Sequence, residues 1–367
     1  MLDDGGGVPR LGQVLALEMD QQRGAELTLP PTTEGSPETR TEVRIRCARG
    51  EGVIIDGDQA PCHDALIRVA TETEVQGWQQ RAQPEATLWL GDLAMAAGVP
   101  ALADARGFSR HTFLCGQSGS GKTYSLGVIL ERLLTETDLR IVVLDPNSTM
   151  EELNASDLPE ARHLGLRLAN LGVDRYTVWA RGEEGSVLDA VHDDSVRCVV
   201  IDLGSLANRD EQSLVAAVVL GDLWHRRAER RPVLIVIDEA HNVCPAAPPD
   251  RLVALATEHA IRIAAEGRKF GLYLLVSTQR PQKIPENVLS QADNLVLLRL
   301  NSLADAAFAE AIFSFVPPSL IQRSSLFRQG EGLIAGKISP QPALLRFGAR
   351  ISEESGGDVP ATWARPR

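Results

Sequence analysis

The sequence GQSGSGKT, residues 116–123, constrains the fold of this chain more than any other feature. It has the spacing G-x-x-x-x-G-K-T, and it lies between the apolar run "RHTFLC" and the amphipathic segment "YSLGVILERLLTET". Glycines let backbone N–H groups approach phosphate oxygens closely, and the N-terminus of a following helix adds a positive dipole. A strand, a glycine loop and a helix in this order predict a site for the phosphates of a nucleotide.

The loop and the first turn of its helix supply the predicted nucleotide contacts. Lys122 is expected to reach the β- and γ-phosphates, and the Thr123 hydroxyl is expected to bind Mg²⁺. The residues predicted to touch the nucleotide are Gly116, Ser118, Gly119, Ser120, Gly121, Lys122, Thr123 and Tyr124. A glycine-rich turn formed by chance is a poor alternative in this context.

Two acids end a second apolar run, in "VLIVIDEAHNV". At the C-terminal end of a strand, Asp238 can bind Mg²⁺ through water, and Glu239 can orient or deprotonate the attacking water. The alternative is a strand end followed by ordinary helix-capping acids. Because a second acid directly follows the first, the pair favours hydrolysis of the nucleotide.

A third apolar run carries polar residues at both of its ends. Gln279, in "LLVSTQRP", follows the run, where a side chain lies beside the site in a doubly wound sheet and can position water or sense the γ-phosphate. Arg268, in "EGRKFG", precedes it. In oligomeric ATPases an arginine from a neighbouring subunit often completes the site, although the residues alone favour a solvated basic turn.

The composition excludes several classes of protein. The 367 residues are 44% hydrophobic, and no run approaches the roughly 20 apolar residues that cross a bilayer. The start, "MLDDGGGVPR", lacks the features of a signal peptide, so we expect a soluble cytoplasmic protein with no membrane partner. The five cysteines lack C-x-x-C spacing and indicate reduced thiols, with Cys115 and Cys198 in the core.

Pattern changes along the chain predict an α/β protein in three parts. Residues 1–90 read as a small β-rich N-terminal module with a flexible start, with strands in "LGQVLALEMD", "TEVRIRCARG", "DALIRVATETEV" and "ATLWLGDL". In residues 91–345, apolar runs alternate with helical segments, as in a mostly parallel sheet. Residues 346–367 would form a C-terminal arm.

These motifs together resemble the HerA–FtsK superfamily of DNA-pumping ATPases, in particular its HerA-like branch. The resemblance rests on "RHTFLCGQSGSGKT", "VVLDPNS", "VIDEAHN", "EGRKFG" and "STQRPQKIPENVLSQADNLVLLRLNS", and it covers roughly residues 86–350. It implies a RecA-like P-loop core that hydrolyses ATP with Mg²⁺, preceded by a barrel-like β module. It also implies a homo-oligomeric, hexameric ring around double-stranded DNA.

The same resemblance assigns catalytic roles to residues of this chain. Lys122, Glu239 and Gln279 would act in their own site, and Arg268 would act in the site of a neighbouring subunit. A separate nuclease or defence effector would be the partner, in DNA end processing or phage defence, since no nuclease constellation is visible. Asp238 to His241 spell DEAH, but the residues that follow are too few for the second RecA-like domain of DEAH helicases.

A second reading is a regulatory ATPase, whose nucleotide state controls a bound effector without DNA being pumped. A net charge of −12 argues against wrapping of nucleic acid by the whole surface, but it leaves room for a basic strip lining a pore. "WHRRAERR", residues 224–231, is the densest basic run, and it reads better as the solvated end of a helix. A small-molecule kinase is disfavoured by the paired acids.

Overall fold

The computed structural model describes residues 1–3, 9–29, 39–57, 66–96, 98–146, 176–182 and 185–351. Contacts between Cα atoms divide the chain into two compact units, Met1–Trp78 and Gln79–Arg367. Parts of the predicted flexible start, residues 4–8 and 30–38, and most of the predicted C-terminal arm lie outside the described residues.

The first unit is built from two pairs of antiparallel strands among its described residues, one long and one short. Its elements are β1 (Leu2–Asp3), β2 (Leu11–Leu29), β3 (Thr39–Asp56), β4 (Leu66–Ile67) and the start of α1 (Glu72–Ala82). β2 pairs with β3 and β1 pairs with β4. The strands predicted at β2 and β3 are confirmed, whereas the barrel-like arrangement of the module is not confirmed by the described strands and stays a prediction.

The strand predicted over "DALIRVATETEV" is wrong in its second half, where α1 begins. The Thr71 hydroxyl accepts a hydrogen bond from the Glu74 backbone N–H (3.3 Å), and the Glu74 carboxylate accepts one from the Thr71 N–H (2.8 Å). This reciprocal pair is a capping box, which satisfies N–H groups at a helix start. The alternation of apolar residues is therefore overridden by a local helix signal.

The second unit holds a large sheet and the helices around it. Its strands are β5 (Thr87–Leu93), β6 (Pro100–Asp104), β7 (His111–Cys115), β8 (Arg140–Asp145), β9 (Tyr176–Trp179), β10 (Cys198–Asp202), β11 (Val233–Ile237), β12 (Leu272–Thr278), β13 (Ala292–Leu297), β14 (Glu331–Gly336) and β15 (Ala343–Phe347). Its helices are α2 (Lys122–Glu136), α3 (Val187–His192), α4 (Arg209–His225), α5 (Ala240–Val243), α6 (Arg251–Glu266), α7 (Glu286–Leu289), α8 (Leu303–Ile312) and α9 (Pro318–Gln322).

The strand order is β6-β5-β15-β14-β13-β7-β12-β11-β8-β10-β9 among the described residues. The run from β13 to β9 is parallel throughout, and the strands from β14 to β6 are antiparallel to their neighbours. Ile237 lies opposite both Leu144 and Val276, and Thr278 lies opposite Cys115. The carboxyl ends of β7, β12, β11 and β8 therefore meet at one edge of the sheet.

Both faces of the parallel strands are buried. In β7, Leu114 packs in a cluster with apolar residues of α2, whereas the ring of Phe113 stacks on Phe313 with 5.5 Å between centroids. Burial on both faces explains why these strands are continuous apolar runs. Cys115 and Cys198 are buried in them, as predicted.

The boundaries between parts differ from the prediction. β5, which we placed in the N-terminal module, pairs with β15 and β6 in the large sheet, so residue 90 falls inside a strand of the core. β15 extends to Phe347, past the predicted start of the arm. Residues 348–351 then run beside α2, where the Arg350 N–H donates to the Tyr124 hydroxyl (3.0 Å) and the Ile351 N–H to the Glu131 carboxylate (2.6 Å).

Candidate nucleotide-binding site

The glycine loop joins β7 to α2 at the carboxyl edge of the sheet. Gly119 and Gly121 have φ of 72° and 90°, a left-handed conformation that glycine adopts without steric cost. A Cβ on Gly116 would lie 2.7 Å from the Ser120 Oγ and 2.8 Å from the Leu298 Cβ. Two of the three glycines are thus required by backbone conformation and the third by close packing.

Neighbouring segments brace the loop. The Gln117 N–H donates to the Arg299 carbonyl (3.0 Å), and the Asn301 N–H donates to the Gln117 Oε1 (2.9 Å). The Arg299 guanidinium donates to the Gly119 carbonyl (3.0 Å), and the Gly330 N–H donates to the Ser120 carbonyl (3.0 Å). These supports were not predictable from the sequence pattern, although Arg299 and Asn301 lie within "STQRPQKIPENVLSQADNLVLLRLNS".

Lys122 is held between the two acids. It is buried, and its Nζ lies 2.8 Å from the Asp238 Oδ1, 3.1 Å from the Glu239 Oε1 and 3.2 Å from the Ser277 Oγ. Burial alone lowers the pKa of the ammonium, but the two carboxylates outweigh that effect and raise this pKa above its usual value. The side chain therefore remains a cation inside the protein.

Glu239 stands on a strained backbone. Its φ of 39° and ψ of 48° are left-handed, which is rare for a residue with a side chain. Burial raises the pKa of its carboxyl, but a hydrogen bond from His241, the charge of Lys122 and a hydrogen bond from Gln279 together lower it to about 2. The carboxylate is therefore ionised and able to accept a proton.

The strand between the loop and the acids supplies three polar groups. The Ser277 hydroxyl donates to the Asp238 Oδ1 (2.7 Å), and the Gln279 Nε2 donates to the Glu239 Oε1 (2.6 Å). The Thr278 hydroxyl lies 3.1 Å from the His241 Nδ1. The carboxyl end of β12 and the Gln279 that follows it thus contact both of the acids that follow β11, and the structure brings Lys122, Asp238, Glu239 and Gln279 into one cluster.

The residues present fit a bound nucleotide with Mg²⁺. Ser118, Gly119 and Thr123 are exposed around the loop, and the buried Ser120 Oγ has no hydrogen-bond partner within the described part of the chain. The hydrogen bonds from Lys122, Ser277 and the Glu239 N–H to the Asp238 carboxylate all fall on Oδ1. The Thr123 hydroxyl and the Asp238 carboxylate are hard oxygen donors of the kind that Mg²⁺ prefers.

Two residues predicted for the site lie elsewhere in this chain. Tyr124 packs against the core cluster, and its hydroxyl accepts the hydrogen bond from Arg350. Arg268 lies before the amino end of β12, at the opposite edge of the sheet, where its Nη1 is 2.6 Å from the Asp293 Oδ2. Their roles toward the nucleotide stay predictions.

The order of the strands defines the class of this fold. A glycine loop after β7, paired acids after β11 and a polar strand end on β12 between them form a RecA-like P-loop ATPase core. A family model described as "Helicase HerA, central domain" matches residues 88–171.

Curated relatives agree with this class. The DNA double-strand break repair helicase HerA of Sulfurisphaera tokodaii is 32% identical over 198 residues, which are 51% of this chain and 38% of that protein. The protein of the same name from Saccharolobus solfataricus is 30% identical over 189 residues, 48% of this chain and 35% of its own length. The chain is therefore similar to the HerA-like ATPases of the HerA–FtsK superfamily over about half of its length, and it spans well under half of the length of these relatives.

Solved structures with a similar course of the chain are more distant. VirB4 of Thermoanaerobacter pseudethanolicus gives a TM-score of 0.49 at 16% identity, covering 73% of this chain and 98% of its own. The genome packaging NTPase B204 from Sulfolobus turreted icosahedral virus 2, in complex with ATP-gammaS, gives 0.45 at 16% identity, covering 66% and 99%. No helix in the described ranges is long and apolar enough to cross a membrane.

Proposed function

We propose that this chain is an ATP-hydrolysing motor subunit that assembles into a ring and moves double-stranded DNA. The observation that carries the proposal is the cluster at the carboxyl edge, where Lys122 contacts Asp238 and Glu239, and Gln279 contacts Glu239, directly beside the glycine loop. A cation, an ionised carboxylate and an amide arranged in this way fit hydrolysis of a phosphoanhydride.

Each residue has a distinct task in this reaction. The N–H groups of the loop bind the phosphates, and Lys122 exchanges its contacts with the acids for contacts with the β- and γ-phosphates. Glu239 accepts a proton from the attacking water, and Gln279 holds the carboxylate and the water in line. Mg²⁺, held by Thr123 and Asp238, would neutralise charge that develops on the phosphates.

Action on DNA is proposed from the relatives. The curated relatives are named as helicases of DNA double-strand break repair, and this chain matches less than two fifths of the Sulfurisphaera tokodaii protein. We propose a hexameric ring in the cytoplasm that works with a separate nuclease or defence effector. Arg268 lies at the edge of the sheet opposite its own site, which supports the proposal that it serves a neighbouring subunit.

One observation favours the second candidate, a regulatory ATPase that controls an effector without pumping DNA. In the basic run of residues 224–231, Arg226 pairs with Glu229 (2.7 Å) and Arg231 with Asp194 (2.5 Å). The Arg227 guanidinium lies over the Trp224 ring, 4.5 Å from its centroid. Two of the four arginines are thus paired with carboxylates, which reduces the positive charge that the run offers to a DNA backbone.

The deciding experiment is ATP turnover of the purified protein at low salt, with and without linear double-stranded DNA. Low salt matters because contacts to DNA phosphates weaken steeply as ions are added. Glu239→Gln, which should bind ATP without hydrolysing it, serves as the blank. Strong stimulation by DNA supports the motor, whereas robust turnover without a DNA response supports the regulatory ATPase. No turnover above the blank would refute both.

A further inference from the structure

His241 contacts the carboxylate proposed as the catalytic base, yet the proposed reaction gives it no task. It lies in the short helix α5, two residues after Glu239, and its ring is mostly buried, with 17% of the side chain exposed. Its Nδ1 lies 3.3 Å from the Glu239 Oε2 and 3.1 Å from the Thr278 Oγ1.

The partners of Nδ1 determine which atom carries the hydrogen. An ionised carboxylate oxygen can only accept hydrogen bonds, so Nδ1 must donate for the contact with Glu239 to be favourable. The Thr278 hydroxyl oxygen can accept as well, and it also receives the Arg280 N–H at 3.0 Å. An imidazole with its hydrogen on Nδ1 would direct that N–H toward the Glu239 Oε2, a buried oxygen that otherwise has no hydrogen-bond partner among the described residues. The Thr278 hydroxyl contacts the same Nδ1 and restricts the plane of the ring.

The two oxygens of Glu239 have separate partners. Oε1 faces Lys122 (3.1 Å) and Gln279 (2.6 Å), whereas Oε2 faces His241. When Lys122 moves to the phosphates of a bound nucleotide, Oε1 loses its cation and Oε2 keeps its contact. The strained backbone of Glu239 makes an external support important, because a side chain on such a backbone is held by its surroundings.

We propose that His241 is a positioning residue, which holds the Glu239 carboxylate through Oε2 in the orientation needed to activate water. The inference rests on the proposed ATP hydrolysis and names a residue beyond it. His241 also lies between Glu239 and Thr278, the last residue of β12, which directly precedes Gln279.

The test compares two substitutions of His241. His241→Leu keeps bulk but removes the N–H, and we expect kcat to fall about 10- to 100-fold, as misplacement of a catalytic group does. KM and the Kd for ADP, measured with the purified variant, should change less than about twofold, since His241 touches no part of the loop. His241→Asn can place an amide N–H close to the position of Nδ1, and it should recover most of kcat.

The control is His225→Leu, which changes an exposed histidine at the end of α4 and should leave kcat unaltered. Thr278→Val removes the hydroxyl that orients the ring, and it should lower kcat even if the leucine variant does not fold. Equal kcat for wild type, His241→Leu and Thr278→Val would overturn the inference. So would loss of ADP binding in step with kcat, which indicates a structural role. If the wild type itself shows no turnover, it is the proposed function that fails.

Discussion

At the scale of single residues, the charges of the candidate site compensate one another, because Lys122 forms ion pairs with both acids. Lys122 would lose its charge if it were buried alone, but two carboxylates within 3.1 Å keep it ionised. Ser277 and the Glu239 N–H complete the set of hydrogen bonds to Asp238. The same cation therefore stabilises two adjacent acids, and in the proposed reaction it exchanges them for the phosphates of the nucleotide.

Removal of this cation should disable the site. In Lys122→Ala, the two acids face each other without a counter-ion and no ammonium reaches the phosphates, so we expect turnover to fall at least about 100-fold and ATP binding to weaken strongly. Isothermal titration with ATP and a turnover assay measure the two effects. Lys337→Ala, at an exposed lysine, is the matched control. Wild-type turnover in Lys122→Ala would remove the site assignment.

A second residue predicts how stability depends on pH. His111 is buried and accepts the Leu274 N–H at Nδ1 (2.9 Å), and burial together with the charge of Arg268 lowers its pKa from 6.5 to about 4. The unfolded chain therefore binds an extra proton between about pH 6.5 and 4, and the free energy of unfolding falls as pH drops through that window, by about 3 kcal/mol in all.

Urea unfolding at pH 7 and at pH 5 measures the part of this loss in the free energy of unfolding that falls above pH 5. His111→Asn can still offer an oxygen to the Leu274 N–H but does not titrate, so its free energy of unfolding should depend less on pH. Identical pH dependence in the two proteins would show that His111 is not the group responsible.

Residue-level prediction from the sequence worked where chemistry and spacing are local. Lys122, Asp238, Glu239 and Gln279 stood out because each follows an apolar strand, and parallel strands bring their carboxyl ends together. His241 and Arg299 did not stand out, because their importance arises from a neighbouring strand. Tyr124 is predicted to contact the nucleotide because it directly follows Thr123, whereas its ring packs against the core.

At the scale of elements, the critical junction lies between β13 and β14, where the parallel strands meet the antiparallel strands. Gly336, at the end of β14, has φ of 99°, and a Cβ there would lie 2.0 Å from the Asp293 carbonyl oxygen of β13. Asp293 lies between Ala292 and Asn294, which pair with β7, so a shift of its carbonyl would disturb that pairing. This position therefore admits no side chain.

Gly336→Ala should destabilise the protein by about 3 kcal/mol or more, through both the strained φ and the clash. Gly182→Ala is the matched control, because Gly182 also has positive φ (90°) but nothing within 4 Å of the added Cβ. We expect that control to lose only about 1–2 kcal/mol. Chemical unfolding gives both values, and equal losses would show that the clash is relieved by small shifts.

The parallel strands were predictable as elements because burial on both faces makes them continuous apolar runs. The places of β5 and β15 were not, since they pair across about 250 residues of sequence and no local pattern specifies a partner so far away. α1 was missed for the opposite reason, because its capping box is local but lies inside an alternating pattern.

At the scale of the whole molecule, Arg268 and the nucleotide site lie at opposite edges of the sheet. β12 has 7 residues between them, which at about 3.3 Å per residue separate its two ends by roughly 20 Å. An arginine side chain cannot cover that distance within one subunit. If Arg268 acts on a nucleotide, the nucleotide belongs to another copy of the chain.

Mixed rings test this arrangement. Arg268→Ala and Glu239→Gln should each be inactive alone, but a 1:1 mixture should regain about a quarter of the wild-type turnover, because a site works when its own subunit has Glu239 and its neighbour has Arg268. Asp293→Asn, which frees Arg268 from its ion pair, is the control for lost surface contacts. No recovery on mixing after subunit exchange would exclude the role in trans.

The bracing of the glycine loop has a thermodynamic consequence. Gly330, whose N–H donates to the Ser120 carbonyl, directly precedes β14. Asn301, whose N–H donates to the Gln117 side chain, follows β13. The order of the loop, and with it the affinity of the site for a nucleotide, therefore depends on strands that the nucleotide does not contact. Such coupling is reciprocal. The free energy by which a bound nucleotide stabilises the antiparallel strands therefore equals the binding free energy that is lost when those strands are destabilised.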